Sequence, residues 1–291
     1  MGAKFGPAGN SESFQAMGYR KTIQVPEYIT RMGLDAYEYQ CGRGVRISEE
    51  AARAFGEKAR EHQVTLSLHS PYYISLSGIE EEKRLGSIEY ILQSARVADA
   101  MGAQRVVVHS GSCAKLSRQQ AMELAKDTLT RAYQRLDQEG LGHIRLCPET
   151  MGKLNQLGTL EEVLELCLLD ERLIPCIDFG HLNARTFGAL NSFEGIRQVF
   201  ETMENVLGLD RMRQFHAHFS KIEYTEKGGE KCHLTFADTV YGPQFEPVAE
   251  MIVRKNASPT IICESAGTQA EDAATMKKMY AQALVACGQA E

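Results

Sequence analysis

Histidines and carboxylates recur along this chain at intervals that fit a repeating structural unit. His69, His109, Glu149, Asp178, His216 and Glu264 each close a short β-branched or apolar run, and successive members lie 40, 40, 29, 38 and 48 residues apart. Glu38 stands near the end of a weaker run earlier in the chain. Neutral imidazoles and carboxylates together form a ligand set for a borderline divalent cation, zinc first, with manganese or iron as alternatives. Gathered without a cation, so many carboxylates would repel one another and shift their pKa values. A single strand-end histidine is usually a satisfied core or surface imidazole. Six metal-capable groups at equivalent positions of successive units argue for convergence instead. His181, three residues after Asp178 in Asp-Phe-Gly-His, and His233, in a long loop, are placed to reach the same mouth. His62 and His143 fall at a helix end and just before a strand, on the opposite side, and receive no role.

The elements that must position these groups follow a strand-then-helix rhythm, the pattern of an α/β fold with a parallel sheet. Strands are expected at Val64 to His69, Arg105 to His109, Ile144 to Glu149, Ile174 to Asp178, Gln214 to Phe219 and Thr260 to Glu264, with weaker ones at Lys4 to Gly6 and Ala36 to Gln40. Helical stretches run from Ser48 to His62, Ile88 to Met101, Ser117 to Glu139 and Thr159 to Leu169, the last opened by a capping box of Thr159 and Glu162. Eight such units predict a (β/α)8 TIM barrel formed by residues 1–291 as a single domain, because no linker or low-complexity tract divides the chain. In that fold the carboxyl ends of all strands meet on one face, where active sites are built. The stretch from Lys221 to Phe245, rich in Gly, Lys and Glu, reads as a long functional loop.

Composition excludes several other classes. Of the 291 residues, 43% are hydrophobic and 24% charged, which suits a globular chain and argues against disorder or coiled coil. No apolar run approaches a membrane span and the first residues lack the plan of a signal peptide, so no membrane association and a cytoplasmic location are expected. Met-Gly at the start is not a myristoylation signal, because Gly6 stands where Ser or Thr is required. The eight cysteines are dispersed without a C-x-x-C pair, unlike a zinc finger or disulfide scaffold. A net charge of −6 argues against a generic nucleic-acid binder, so any such contact must be local.

Six short segments, in order, carry a family resemblance: Leu-His-Ser-Pro-Tyr at 68 to 72, Val-Val-His-Ser-Gly-Ser at 107 to 112, Pro-Glu-Thr at 148 to 150, Cys-Ile-Asp-Phe-Gly-His at 176 to 181, His-Ala-His-Phe-Ser-Lys at 216 to 221 and Cys-Glu-Ser at 263 to 265. The chain resembles endonuclease IV, the metal-dependent apurinic/apyrimidinic endonuclease of DNA base excision repair, within the xylose-isomerase-like TIM barrels. The resemblance implies two to three zinc ions. His69, His109 and Glu149 would hold the first, and Glu149 would bridge to a second on Asp178, His216 and Glu264. His181 and His233 would hold the third. The family places an Asp two residues before the loop histidine, where this chain has Lys231, and the neighbouring Glu230 would substitute through a shifted loop. The implied reaction is hydrolysis of the phosphodiester 5′ to an abasic site in double-stranded DNA, leaving a 3′ hydroxyl, with Glu149 or Glu264 orienting the nucleophile. Tyr72 matches a tyrosine that enters the distorted duplex, and its neighbour Tyr73 could also stack. Arg43, Arg46 and Lys221 are the candidate phosphate contacts. No obligate protein partner is inferred. The chain departs from the family at Phe5-Gly6-Pro7-Ala8-Gly9, which lacks the Gly-x-His common at the end of the first strand.

A rival reading is a single-metal sugar or sugar-phosphate isomerase or epimerase on the same barrel. Glu149, Asp178, His216 and Glu264 alone would make its one metal site. Fold does not separate the two. The additional histidines His69, His109, His181 and His233 favour the nuclease, because a single-metal isomerase has no use for them. A non-catalytic binder of abasic DNA or metal is a third reading, and the retained hydroxide-generating ligands argue against it.

Overall fold

The structure is a computed structural model that describes residues 2–288. In chain order it comprises β1 (Lys4–Pro7), α1 (Glu12–Ala16), α2 (Val25–Arg31), β2 (Ala36–Gln40), α3 (Glu49–Glu61), β3 (Thr65–His69), α4 (Glu81–Met101), β4 (Arg105–His109), α5 (Arg118–Gln138), β5 (Arg145–Glu149), α6 (Leu160–Cys167) and β6 (Cys176–Asp178). It continues through α7 (Phe179–Arg185), α8 (Phe193–Leu207), α9 (Leu209–Met212), β7 (His216–Phe219), β8 (Lys221–Thr225), β9 (Gly229–Leu234), α10 (Glu246–Arg254), β10 (Thr260–Cys263) and α11 (Gln269–Ala286).

Eight parallel strands run in the spatial order β1-β10-β7-β6-β5-β4-β3-β2, and helices cover the sheet outside. The two ends of this sheet meet. Asp35 donates its N–H to the Phe5 carbonyl at 3.1 Å, and Gly9 donates to the Glu38 carbonyl at 3.0 Å. Gly6 makes that approach possible, because a Cβ there would lie 1.8 Å from the Ala36 carbonyl oxygen. The result is the nearly closed TIM barrel that the alternation of elements predicts. Val106, Val107 and Val108 of β4 and Ile177 of β6 are fully buried, as β-branched residues covered on both faces of a parallel sheet should be.

Local chemistry sets the helix ends. Capping boxes open α5, through Ser117 and Gln120, and α6, through Thr159 and Glu162. Gly102, at φ +73°, ends α4 in the left-handed conformation that glycine adopts without penalty. That helix starts at Glu81, about two turns earlier than the apolar period from Ile88 implies, because its first turn is acidic and exposed apart from Arg84. The stretch from Lys221 to Phe245 is not only loop. Its first half is an antiparallel hairpin of β8 and β9, separate from the barrel sheet. No helix of the described residues is long and apolar enough to cross a membrane.

Candidate metal centre

At the carboxyl ends of the strands a cavity of about 310 Å³ is lined by His69, Tyr72, His109, Glu149, Met151, Lys153, Gln156, His181, Glu230, His233 and Glu264. A larger cavity, about 420 Å³, opens at the other end of the barrel, among Lys4, Thr65, Arg105 and Thr260. Neither a carboxylate nor an imidazole lines it. The metal-capable side chains therefore gather at the first cavity, on the face where barrels of this kind build active sites.

Glu149, at the end of β5 and 1% exposed, is the hub. Its Oε2 lies 3.4 Å from His69 Nε2 and 3.3 Å from His109 Nε2. Its Oε1 lies 3.0 Å from His218 Nδ1 and 3.5 Å from His181 Nδ1. Two ligand atoms about 2.1 Å from a tetrahedral cation are separated by about 3.4 Å, so the His69 and His109 spacings suit a shared ion. Ligand atoms of Glu149, Asp178, His218 and Glu264 all lie within 4.8 Å of one another, and so do those of His181, Glu230 and His233. Asp178 Oδ2 is buried and accepts no hydrogen bond, while its Oδ1 caps α7 by accepting the His181 N–H at 2.6 Å. A buried carboxylate oxygen without a donor costs free energy that a cation would offset. The donor set thus fits divalent cations.

Most of the histidines are held by one nitrogen so that the other faces the site. His69 Nδ1 lies 2.7 Å from the Ser70 carbonyl, His181 Nδ1 lies 3.0 Å from the Thr150 carbonyl, and His233 Nδ1 lies 2.8 Å from Ser220 Oγ. Such partners set the tautomer and ring orientation of metal-binding histidines. Each leaves Nε2 toward Glu149 or Glu230.

Without cations, charge is balanced by protons. Burial alone would raise Glu149, but His218, His109 and His181 hold its carboxyl well below the usual range. Asp178 goes the other way: burial, with Glu264 and Glu149 nearby, pushes it up to about 6 against the opposing pull of His181. Burial disfavours charge on His69, yet Glu149 and Glu38 raise it to about 9. Burial disfavours charge on His181 and His218 too, yet both lie well above their ordinary value, His181 through Asp178, Glu149 and Glu230 and His218 through Cys176, Glu38, Glu264 and Glu149.

The strand-seven histidine expected at the site, His216, is not the one that reaches it. Both His216 and His218 point into the barrel, as alternate residues of a strand must. The register sets His218 level with Asp178 and His216 level with Cys176, a layer deeper. His216 Nε2 is bound to Glu38 Oε2 at 2.9 Å, and burial depresses His216 to about 4. Its ligand atom groups with those of Cys176 and His218, away from Glu149 and Asp178. Period-two alternation in His-Ala-His was the signal that both residues face inward, but only the register tells them apart.

Glu230 reaches the site through a β-bulge. The hairpin pairs Ile222 with His233, Glu223 with Cys232 and then Tyr224 with Glu230, which leaves Lys231 as the extra residue. One inserted residue turns the alternation by one position. Glu230 and His233, three apart, therefore face the same side, with Glu230 Oε2 3.5 Å from His181 Nε2. Lys231 turns away and pairs with Glu223 at 2.6 Å. The hairpin is pinned above β5 by Glu230 N–H to the Gly152 carbonyl at 3.1 Å and Leu154 N–H to the Gly228 carbonyl at 3.2 Å.

Among the expected substrate contacts, Tyr72 is 61% exposed at the cavity rim and Arg43 and Arg46 are on the loop after β2, at least partly open to solvent. Tyr73 packs edge-on against Tyr90 at 4.8 Å. Lys221 departs from expectation. It is 5% exposed, and its ammonium donates to the carbonyls of Phe236 at 3.2 Å and Asp238 at 2.5 Å. That side chain ties down the loop after β9 and has no reach to a phosphate. His143 pairs with Asp99 and His62 lies 3.4 Å from Thr30, both outside the site.

Comparison with known proteins agrees with this architecture. Residues 26–282 match the family model described as xylose isomerase-like TIM barrel. An uncharacterized protein of Methanocaldococcus jannaschii is 34% identical over 254 residues, which cover 87% of this chain and 90% of that one. A probable endonuclease 4 of Acholeplasma laidlawii is 26% identical over 163 residues, covering 54% of this chain and only 53% of the relative. Endonuclease IV from Thermus thermophilus superposes with a TM-score of 0.68 at 20% identity, over 97% of this chain and 99% of that one. A D-tagatose 3-epimerase-like protein superposes with a TM-score of 0.71 at 21% identity, over 98% of both chains. The two structural likenesses show the fold, and the match along most of the sequence shows more: the chain belongs to the xylose isomerase-like TIM barrel family.

Proposed function

We propose that this protein is a metal-dependent phosphodiesterase that cleaves DNA 5′ to abasic sites. The observation that carries the reading is the position of Glu149, whose two oxygens face His69 and His109 on one side and His218 and His181 on the other. A carboxylate so placed would be able to hold two adjacent cations, one with each oxygen. Cations held there, two to three zinc ions with manganese or iron as substitutes, would supply Lewis acidity toward phosphoryl oxygens and a water that ionises near neutral pH.

The chain's own residues supply position. Glu149 and Glu264 face the cavity as the carboxylates available to orient the attacking water. Attack on phosphorus breaks the bond to the upstream O3′, which leaves protonated as a 3′ hydroxyl, while the phosphate stays on the abasic residue. Tyr72, exposed at the rim, is available to enter the gap left by the missing base, and Arg43 is available to a phosphate. Three divalent ions would cancel the formal charge of −6, so an acidic chain is compatible with a DNA substrate.

A single-metal sugar epimerase is the second reading, supported by the group of Glu149, Asp178, His218 and Glu264, which suffices for one ion. It leaves His69, His109 and the His181, Glu230 and His233 group without a task. The test is a duplex oligonucleotide carrying one abasic site, incubated with zinc-loaded protein. A nick 5′ to the lesion, abolished by chelator and by His109→Ala, is expected. An intact duplex at high protein concentration would overturn the nuclease reading, and turnover of a ketose under the same conditions would favour the epimerase.

A further inference from the structure

A glutamate buried in a barrel interior needs a reason. Glu38 is 0% exposed on β2, one layer beneath the metal-capable groups. Burying an ionised carboxylate is costly unless its partners are well placed. Glu38 has such partners: Oε2 accepts from Ser67 Oγ at 2.9 Å and meets His216 Nε2 at 2.9 Å, while Gln40 Nε2 donates to Oε1 at 3.2 Å. Its Oε1 also lies 2.9 Å from His218 Nε2. That last contact is close but runs off the ring N–H axis, so His218 Nε2 is a buried nitrogen without a well-aligned hydrogen bond and Glu38 is the carboxylate beside it.

The comparison with the other histidines is the argument. His69, His181 and His233 each anchor Nδ1 on a carbonyl or hydroxyl and turn Nε2 to the site. His218 is reversed. Its Nδ1 faces Glu149 Oε1 at 3.0 Å and Glu264 Oε1 at 3.4 Å, so its anchor must act on Nε2, which points down the barrel where backbone carbonyls are committed to the strand ladder. A side chain from a neighbouring strand has to serve; Cys176 lies within reach, but its buried thiol is a weak acceptor, and the strong acceptor there is Glu38, whose Oε1 is 2.9 Å from Nε2. His216 and Ser67 fix the other oxygen of that carboxylate and so fix its plane.

We infer that Glu38 is a positioning residue that holds His218 as the Nε2–H tautomer with Nδ1 presented to a divalent cation, and that His216 braces Glu38 instead of binding the ion. The inference rests on the metal-dependent reading above but not on the choice of DNA as substrate. Carboxylate partners of metal-binding histidines raise ligand basicity and restrict ring rotation, and their loss commonly weakens metal binding by about 10- to 100-fold.

The test is a zinc titration of the whole protein against a chromophoric chelator, for wild type, Glu38→Gln and Glu38→Leu, together with nitrogen-15 spectra of the zinc-loaded wild type. Glu38→Leu is expected to weaken one zinc equivalent by about 10- to 100-fold and leave the others unchanged, with Glu38→Gln, which keeps an acceptor oxygen, intermediate. The spectra are expected to show His218 protonated at Nε2 and bound to zinc through Nδ1. This signature does not depend on any variant folding. Equal affinities in all three proteins, or His218 bound through Nε2, would overturn the inference while leaving the metal-dependent reading intact. Wild-type protein that holds no zinc would overturn both.

Discussion

Gly152→Ala probes the third metal group without touching a ligand. A Cβ at position 152 would sit 2.6 Å from Glu230 Cβ, 2.8 Å from Glu230 Oε2 and 3.0 Å from His181 Cδ2. Carbon atoms pack best at about 3.5–4.0 Å, so Glu230 would have to retreat by about 1 Å. It cannot do so by swinging its terminus alone, because the closest atom is Cβ. The hairpin is also fixed at this point, by the Glu230 N–H bond to the Gly152 carbonyl and by Gly229, whose own Cβ would lie 2.3 Å from that oxygen. Overpacking of this kind costs about 1–3 kcal/mol. If the strain is relieved by withdrawing the Glu230 carboxylate, one zinc equivalent binds about 5- to 150-fold more weakly, the same free energy expressed as affinity. Chelator competition measures that loss, and thermal unfolding of the metal-free protein measures strain that remains in the fold. Wild-type values in both assays would refute the close approach of the hairpin to the loop after β5.

Cation binding should expel protons, because His69 sits at about 9 and His181 and His218 well above their ordinary value. Zinc affinity should therefore climb from about pH 6 to about pH 9, with acid released into weakly buffered solution near neutrality, and a flat profile would contradict the charge balance described. For the metal-free protein the sign is opposite. The folded state binds the His69 proton more tightly than the unfolded state, so that contribution is complete below about 6.5 and is lost as the pH rises through about 9. Tyr72→Ala should leave zinc content and unfolding temperature unchanged but weaken binding to abasic duplex by about 5- to 150-fold, the equivalent of about 1–3 kcal/mol for one stacked base, as gel-shift titration would read. Deleting Lys231 should remove the bulge yet keep Glu230 and His233 on one face at a spacing of two, so the zinc count should stay as in wild type; loss of one ion would show that the bulge itself shapes the group.

The barrel and the position of its mouth were legible because periodicity is a property of local sequence. Val106, Val107 and Val108 read as a buried strand without tertiary information, and β2 and β4 begin and end where the pattern places them. His69, His109, Glu149, Asp178 and Glu264 meet because each lies at or just beyond the end of its strand. What stayed hidden depends on register. His216 and His218 share a face, and only the pairing of His218 with Asp178 separates the upper residue from the lower. Glu230 was readable as a candidate beside His233, but the bulge that brings it round toward His181 is a property of the β8–β9 pairing. Lys221 shows the limit for exposed-looking charge: its place in a polar segment suggests a phosphate contact, and the folded loop instead presents two carbonyls to it. Glu38 was visible as a strand-end acid, while its burial beneath His218 follows from barrel closure between β1 and β2.

Anomalous diffraction at the zinc edge, from crystals of the zinc-loaded protein, tests the central claim most directly. The account predicts separate peaks beside His69, His109 and Glu149 and beside Glu149, Asp178, His218 and Glu264, with a further peak beside His181, Glu230 and His233 when that group is filled. A single peak confined to the four-residue group, or none, would contradict it.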